Sequence, residues 1–249
     1  MIVLKTSREL SLMKEACRIS AGALKVIEQA VEPGITTGEL DRIAEKYILS
    51  QGAKPNFKGY HGYPATACIS INNEVIHGIP SVKRKINAGD IVSVDLGATI
   101  NGYHGDNAAT FAVGDISTEA KRLIDTTRES LYEGIKMARA GGRIGDISYA
   151  IQSYVEARGF SVVRDFVGHG IGTALHEAPE VPNFGTSGRG VRLLPGMTLA
   201  IEPMINLGKH SVKVMPDGWT VLTCDGSLSA HFEHTVVITP DGPEILTKV

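Results

Sequence analysis

Four acidic residues and two histidines stand in apolar or glycine-rich surroundings, where an ionisable side chain needs a partner: Asp95, Asp106, His169, His176, Glu202 and Glu233. Asp95 lies in GDIVSVDLG beside Val92, Val94 and Leu96, and Asp106 follows in GYHGDNAATF. Between them, Asn101-Gly102 favours a two-residue hairpin turn, because both residues tolerate positive φ. With that turn, residue 100 pairs with 103 and residue 97 lies opposite Asp106, so Asp95 and Asp106 point from one face. Two carboxylates this close in an apolar sheet cannot both stay ionised unless a cation compensates them, or one takes a proton as in an acid dyad. A metal ion is the simpler remedy. The plain alternative, solvated aspartates flanking a turn, is opposed by the apolar neighbours of Asp95.

His169 sits between glycines in FVGHGIGTALHEAP, with His176 seven residues later; two helical turns, or a strand and a loop, would bring both to one centre. Neutral imidazole is a good ligand for divalent transition metals, although a histidine in such a loop is more often a hydrogen-bonded structural residue. Glu202 in GMTLAIEP and Glu233 in SAHFEHTVVIT lie in strand-like apolar runs, and the windows 196–207 and 227–239 hold no Lys or Arg to pair with them. Four carboxylates and one imidazole form an oxygen-rich donor set that suits two adjacent Mn, Fe, Co or Zn ions better than one structural zinc.

These residues must be carried by alternating helices and strands. Ser7 can cap a helix whose apolar positions, Leu10, Met13, Cys17, Ala21, Leu24, Ile27 and Val31, recur at steps of three or four up to Pro33-Gly34. A second helix is expected from Thr37 to Gly52, and two more over 117–139 and 146–158. Strand-like runs occupy 66–71, 90–99, 103–113, 196–202, 219–223 and 231–238, so the class is α+β or mixed α/β. No low-complexity linker divides the chain, which predicts a single catalytic domain over 1–249.

Composition excludes several roles. At 249 residues and 43% apolar content the chain can bury a core without disulfides. Its 25 basic and 27 acidic residues leave a net charge of −2, with no broad field to attract nucleic acid or anionic lipid. Cys17, Cys68 and Cys224 are odd in number and widely spaced, which points to a reducing, cytoplasmic setting, with Cys17 and Cys224 merely structural. The N-terminus is too short in apolar residues for a signal peptide, and no run approaches the length of a membrane span.

In order and context, Asp95, Asp106, His169, Glu202 and Glu233 resemble the ligand pattern DLG, GD, GHGIG, IEP and FEHT of the methionine aminopeptidases. The resemblance covers nearly the whole chain and extends to INNEVIHGIP around His77, HGIGTALHE at 169–177 and PDGWT around Trp219. It implies the short, type I form of this M24 metallopeptidase family, with an α+β pita-bread fold: two pseudo-symmetric halves meeting over a curved antiparallel sheet. The implied activity is removal of the initiator methionine from nascent proteins and peptides when the second residue is small. The implied cofactors are two divalent ions (Co, Mn, Fe, Zn or Ni), bridged by Asp95 and Glu233. Asp106 completes one coordination sphere, and His169 and Glu202 the other. The resemblance also makes Glu202 the proton carrier for the attacking water, His176 a donor to the scissile carbonyl, and His77 a contact to the substrate nitrogen. The partners implied are nascent chain N-termini and, transiently, the ribosome, met by a monomer.

The family places its methionine pocket among residues matching Tyr60, Tyr63, Cys68, Leu175 and Trp219. Leu175 stands where Phe is common, Phe57 where a smaller residue occurs, and His231, two residues before Glu233 on the same strand face, where Gln is usual. Aromatic, Cys and Trp residues at such positions also serve as core packing. The rival readings are a prolidase or Xaa-Pro aminopeptidase, which shares the five ligands, and a non-catalytic pita-bread binding protein, which loses them. Only 25 residues separate His176 from Glu202, too few for the helical insertion of the type II enzymes.

Overall fold

The computed structural model describes residues 2–248. The first half contains α1 (Ser7–Ala30), α2 (Thr37–Ser50), β1 (Lys54–Pro55), β2 (Ala67–Ile71), β3 (Glu74–Ile76), β4 (Ile91–Ile100) and β5 (Tyr103–Ala112), with a 3-10 turn at Tyr60–Gly62. The second contains α3 (Thr118–Met137), α4 (Ile144–Glu156), β6 (Ser161–Val162), β7 (Gly168–Gly170), β8 (Glu177–Val181), β9 (Thr198–Ile201) and β10 (Met204–Asn206). It ends with β11 (Val212–Val214), β12 (Val221–Thr223), β13 (Ser229–His231), β14 (Glu233–Thr239) and β15 (Gly242–Ile245). None of these helices is long and apolar enough to cross a membrane.

The four expected helices are present, with one shift at the start. Thr6, not Ser7, caps α1: its side chain accepts from the Glu9 N–H while the Glu9 carboxylate reaches back to the Thr6 N–H. Thr36 and Glu39 repeat this capping box at α2, which places Ser7 and Thr37 in the first helical turns.

All strand pairings are antiparallel, and nine strands form the main sheet in the order β1-β4-β5-β14-β9-β7-β8, with β2 on β4 and β15 on β14. Each half has its own core. Helices α1 and α2 bury Ile19, Ile27, Leu40 and Ile48 against Ile69, Val94 and Leu96. Helices α3 and α4 bury Leu123, Leu131, Ile147 and Ile151 against Leu199, Ile201 and Val236. Burying each such side chain contributes about 1.5–3 kcal/mol, so these two apolar faces dominate the stability of the scaffold.

The β4–β5 hairpin matches the sequence reading: Ile100 pairs with Tyr103, Gly97 lies opposite Asp106, and both turn residues are left-handed, at φ 53° for Asn101 and 80° for Gly102. Gly105 lets α1 lie directly on β5, since a Cβ there would come within 2.5 Å of the Cys17 nitrogen. The halves meet at a narrow seam, where β14 pairs with β5 only through Glu233↔Ala108 and His234↔Asn107.

Candidate metal centre and substrate cleft

Directly opposed residues of an antiparallel sheet share a face, so register alone explains the site. Cys68 faces Asp95, Asp95 faces Ala108 and Ala108 faces Glu233, which makes one rung across β2, β4, β5 and β14. A neighbouring rung holds Gly97 and Asp106, while on the far side of the seam Ala200 lies between Thr235 and His169. Glu202 follows the end of β9 on the same side as Ala200. Small residues, Ala108 and Ala200, alternate with the ligand candidates and leave the space above the sheet to them, while Gly97 makes room for the Asn56 side chain. One ligand atom each from Asp106, His169 and Glu233 lies within 4.8 Å of the others, and Glu202 Oε1 is 3.6 Å from His169 Nε2.

The electrostatics of this cluster call for a cation. Asp106 and Glu233 are buried, at 3% and 2% exposure, and Asp95 and Glu202 open only partly to the cleft. Burial pushes the Asp95 carboxyl up to about 7 and that of Glu202 up to about 8. Burial, and then the neighbouring carboxylates, push Asp106 and Glu233 well above the usual range. Among the described residues no Lys or Arg pairs with any of the four. Asp95 Oδ1, Asp106 Oδ1 and Glu233 Oε1 have no hydrogen-bond partner within the chain. His169 completes the fit. Its Nδ1 lies 2.8 Å from the carbonyl oxygen of Gly170, which can only accept, so Nε2 carries the free lone pair toward Glu202. Burial, and then His176, lower its pKa to about 3, which keeps the ring neutral as metal ligation requires. Orphaned oxygens, a neutral imidazole with an anchored second nitrogen and uncompensated carboxylates together fit divalent metal ions.

A cavity of about 250 Å³ opens above these residues, somewhat below the ~300–1,000 Å³ of sites for drug-sized ligands. That size suits one side chain and the peptide bond next to it. Its apolar wall is built from Phe57, Tyr60, Tyr63, Cys68, Leu175 and Trp219. Tyr63 packs edge-on against Trp219, with centroids 5.0 Å apart, and its hydroxyl donates to the carbonyls of Ala67 and Gly78, so it acts as a fixed strut. The buried Cys68 thiol is held protonated by burial and by the negative Asp95.

His176 meets His169 at a right angle, with centroids 4.2 Å apart, and its Nδ1 lies 2.8 Å from the Tyr60 hydroxyl. His77 takes a left-handed backbone, φ 60°, just past β3, and stands edge-on to Phe166 and Trp219. A positive φ at a non-glycine residue is costly and marks a constrained position. Burial, and then His231 and His176, lower the His77 pKa to about 4, so this ring too is neutral.

Tyr60, Tyr63, Cys68, His77, Asp95, Asp106, His169, His176, Glu202, Trp219 and Glu233, together with Phe57 and Leu175, line this one cavity, whereas His231 lies outside its lining. Two expectations need correction. His231 and Glu233 do not share a strand: the chain breaks at Phe232, with His231 ending β13 opposite Met204 and Glu233 opening β14. His231 nevertheless reaches the site, with Nε2 3.6 Å from Glu202 Oε2. Of the two cysteines read as merely structural, Cys17 packs into the core and Cys224 is exposed. His61, which lines the cavity and packs against Tyr60 at 4.4 Å, was missed, and nothing in GYHGYP distinguishes it.

The sequence model of metallopeptidase family M24 matches residues 11–240. The methionine aminopeptidase of Clostridium perfringens is 57% identical over 249 residues, covering 100% of both chains. Among solved structures, the methionine aminopeptidase of Thermotoga maritima matches with a TM-score of 0.99 at 48% identity, again over 100% of each chain. The prolidase of Pyrococcus furiosus shares the fold more distantly, with a TM-score of 0.79 at 25% identity over 99% of this chain and 66% of that one. The curled antiparallel sheet with its four helices is therefore the pita-bread fold. Full-length identity of this order, on this fold, places the chain in metallopeptidase family M24, among the methionine aminopeptidases.

Proposed function

We propose that this chain removes the initiator methionine from nascent proteins and peptides whose second residue is small, by metal-assisted hydrolysis of the first peptide bond. The observation that carries this reading is the meeting, in one cavity, of an acidic floor without Lys or Arg and an apolar wall. The free α-ammonium group of a substrate suits the acidic end. Its flexible thioether side chain suits the wall of Tyr60, Tyr63, Cys68, Leu175 and Trp219.

Asp95, Asp106, His169, Glu202 and Glu233 would hold two divalent ions, and Mn, Fe, Co, Ni and Zn all accept such donors. When bound, these ions supply Lewis acidity that polarises the scissile carbonyl and makes water acidic enough to attack near neutral pH. Glu202 takes the proton of the attacking water and passes it to the leaving amine. With the Tyr60 hydroxyl donating to Nδ1, His176 carries its proton on Nε2 and donates to the carbonyl oxygen as negative charge grows there. Neutral His77 contacts the substrate nitrogen on the leaving side. The protein acts as a monomer, with the whole of 1–249 as one catalytic domain, most of which the family model spans. The setting is the cytoplasm, where the free cysteines stay reduced and N-termini emerge from the ribosome.

The test compares Met-Ala-Ser with Ala-Pro-Ser on chelator-stripped protein, before and after adding Mn or Co. Methionine release only with metal is expected. Cleavage of Ala-Pro-Ser instead would move the chain to the prolyl branch of the fold, and no cleavage of either peptide would leave a binding protein.

A further inference from the structure

The N-terminal segment ahead of α1 reaches the loop that carries Leu175 and His176, through a buried ion pair outside the cleft. Lys5 Nζ donates to Glu177 Oε2 and, at 3.2 Å, to the Val3 carbonyl; the two charged side chains are only 3% and 11% exposed. The other Glu177 oxygen, Oε1, accepts from the Thr173 N–H at 2.8 Å and from the Ala174 N–H at 3.2 Å. Glu177 thus closes residues 173–177 into a ring with Leu175 and His176 at its crest. The strap itself is anchored, since the Lys5 N–H donates to the Gly196 carbonyl at 2.8 Å. Its side chain lies so close to Gly172 that a Cβ there would come within 2.4 Å of Lys5 Cε. Neither Lys5 nor Glu177 lines the cavity.

We propose that Lys5 is a positioning residue for the substrate loop: by neutralising Glu177 it keeps that carboxylate turned inward on the Thr173 and Ala174 amides, which sets Leu175 and His176 in place. The inference rests on the functional reading only in taking Leu175 and His176 as substrate contacts. Burial alone raises a carboxyl pKa, yet the hydrogen bonds from Lys5 and from the two amides outweigh burial and hold Glu177 below the usual range. Without the ammonium group, a largely buried carboxylate gains more from water than from two amides, so it turns outward and the loop opens.

Three variants test this: Lys5→Met, Glu177→Gln, and the two combined, each compared with the wild type by hydrogen-exchange mass spectrometry and by kcat and KM on Met-Ala-Ser. Lys5→Met is expected to raise exchange across 172–177 while β4 and β5 stay protected, and to lower kcat roughly 10- to 100-fold with Mn affinity unchanged. The neutral side-chain amide introduced by Glu177→Gln has less drive to leave the Thr173 and Ala174 amides, so the double variant should recover most of the loop protection and most of kcat. Unchanged exchange and kcat in Lys5→Met would overturn the proposal, as would a loss spread over the whole chain or a double variant no better than the single. If the wild type cleaves no methionyl peptide the functional reading fails, and the exchange pattern still decides the role of Lys5.

Discussion

Thr235 does with its side chain what the backbone does elsewhere along the seam: its Oγ1 donates to the carbonyl oxygen of Asp106 at 2.8 Å and accepts from the Asp106 N–H at 3.2 Å. Thr110 makes the same pair of bonds to His231, at 2.8 and 2.9 Å. Both threonines sit where β5 and the second half lack a backbone ladder bond. One holds the backbone of a ligand candidate, the other that of the histidine beside Glu202.

Thr235→Val should therefore leave a buried N–H and C=O of Asp106 unpaired, at a cost of about 1–3 kcal/mol. Mn affinity should fall with it, while Thr235→Ser should keep both. Urea denaturation of the metal-free protein and calorimetric titration with Mn check this. A Val variant equal to wild type in both would remove Thr235 from the positioning of Asp106.

Glu202→Gln keeps the shape of the side chain but not its basicity. With metal bound, kcat should fall by roughly 10²- to 10⁴-fold while circular dichroism stays unchanged. Near-normal turnover would take the proton transfer away from Glu202.

Tyr60→Phe deletes the hydroxyl 2.8 Å from His176 Nδ1 without emptying the wall. Loss of one hydrogen bond worth about 0.5–1.5 kcal/mol predicts a drop in kcat of roughly 2- to 12-fold, with little change in KM. A change confined to KM would mean that the hydroxyl serves the pocket and not the histidine.

Metal-free protein should lose stability as the pH rises. Burial raises Asp95 from 3.8 to about 7 and Glu202 from 4.5 to about 8 in the folded chain. Across that window the folded state binds more protons than the unfolded state, so its advantage is complete below the ordinary carboxylate values and is lost as pH passes through the raised ones. Thermal unfolding of chelated protein between pH 4 and 8 should show a falling midpoint, and added Mn should flatten that dependence by supplying the missing positive charge. A midpoint independent of pH in the chelated protein would show that the carboxylates do not share a desolvated cluster.

Much of this was legible in the sequence because the signals are local. The Asn101-Gly102 turn set the register that puts Asp95 and Asp106 on one face, and alternating apolar residues on either side left little freedom to slip. Helix bounds came within a few residues from caps and periodicity, the one-residue error at Thr6 arising because Ser7 is an equally good cap by type. His169 was harder to place, since its strand is only three residues long and two geometries fitted its distance to His176. The break at Phe232, which puts His231 and Glu233 on different strands, leaves no mark in SAHFEHTVVIT, a strand-like run without glycine or proline.

By itself the sequence determined which side chains are ionisable in apolar surroundings, where helices start, and how β4 folds back on β5, all consequences of neighbouring residues and their dihedral preferences. Only the tertiary structure decided that Glu233 lies across Ala108 from Asp95, that Ala200 spaces His169 from Thr235, and that Lys5 meets Glu177. These pairings join residues far apart in the chain, and what selects them is the burial of two separate apolar faces and the closing of the seam between them, which no local propensity encodes.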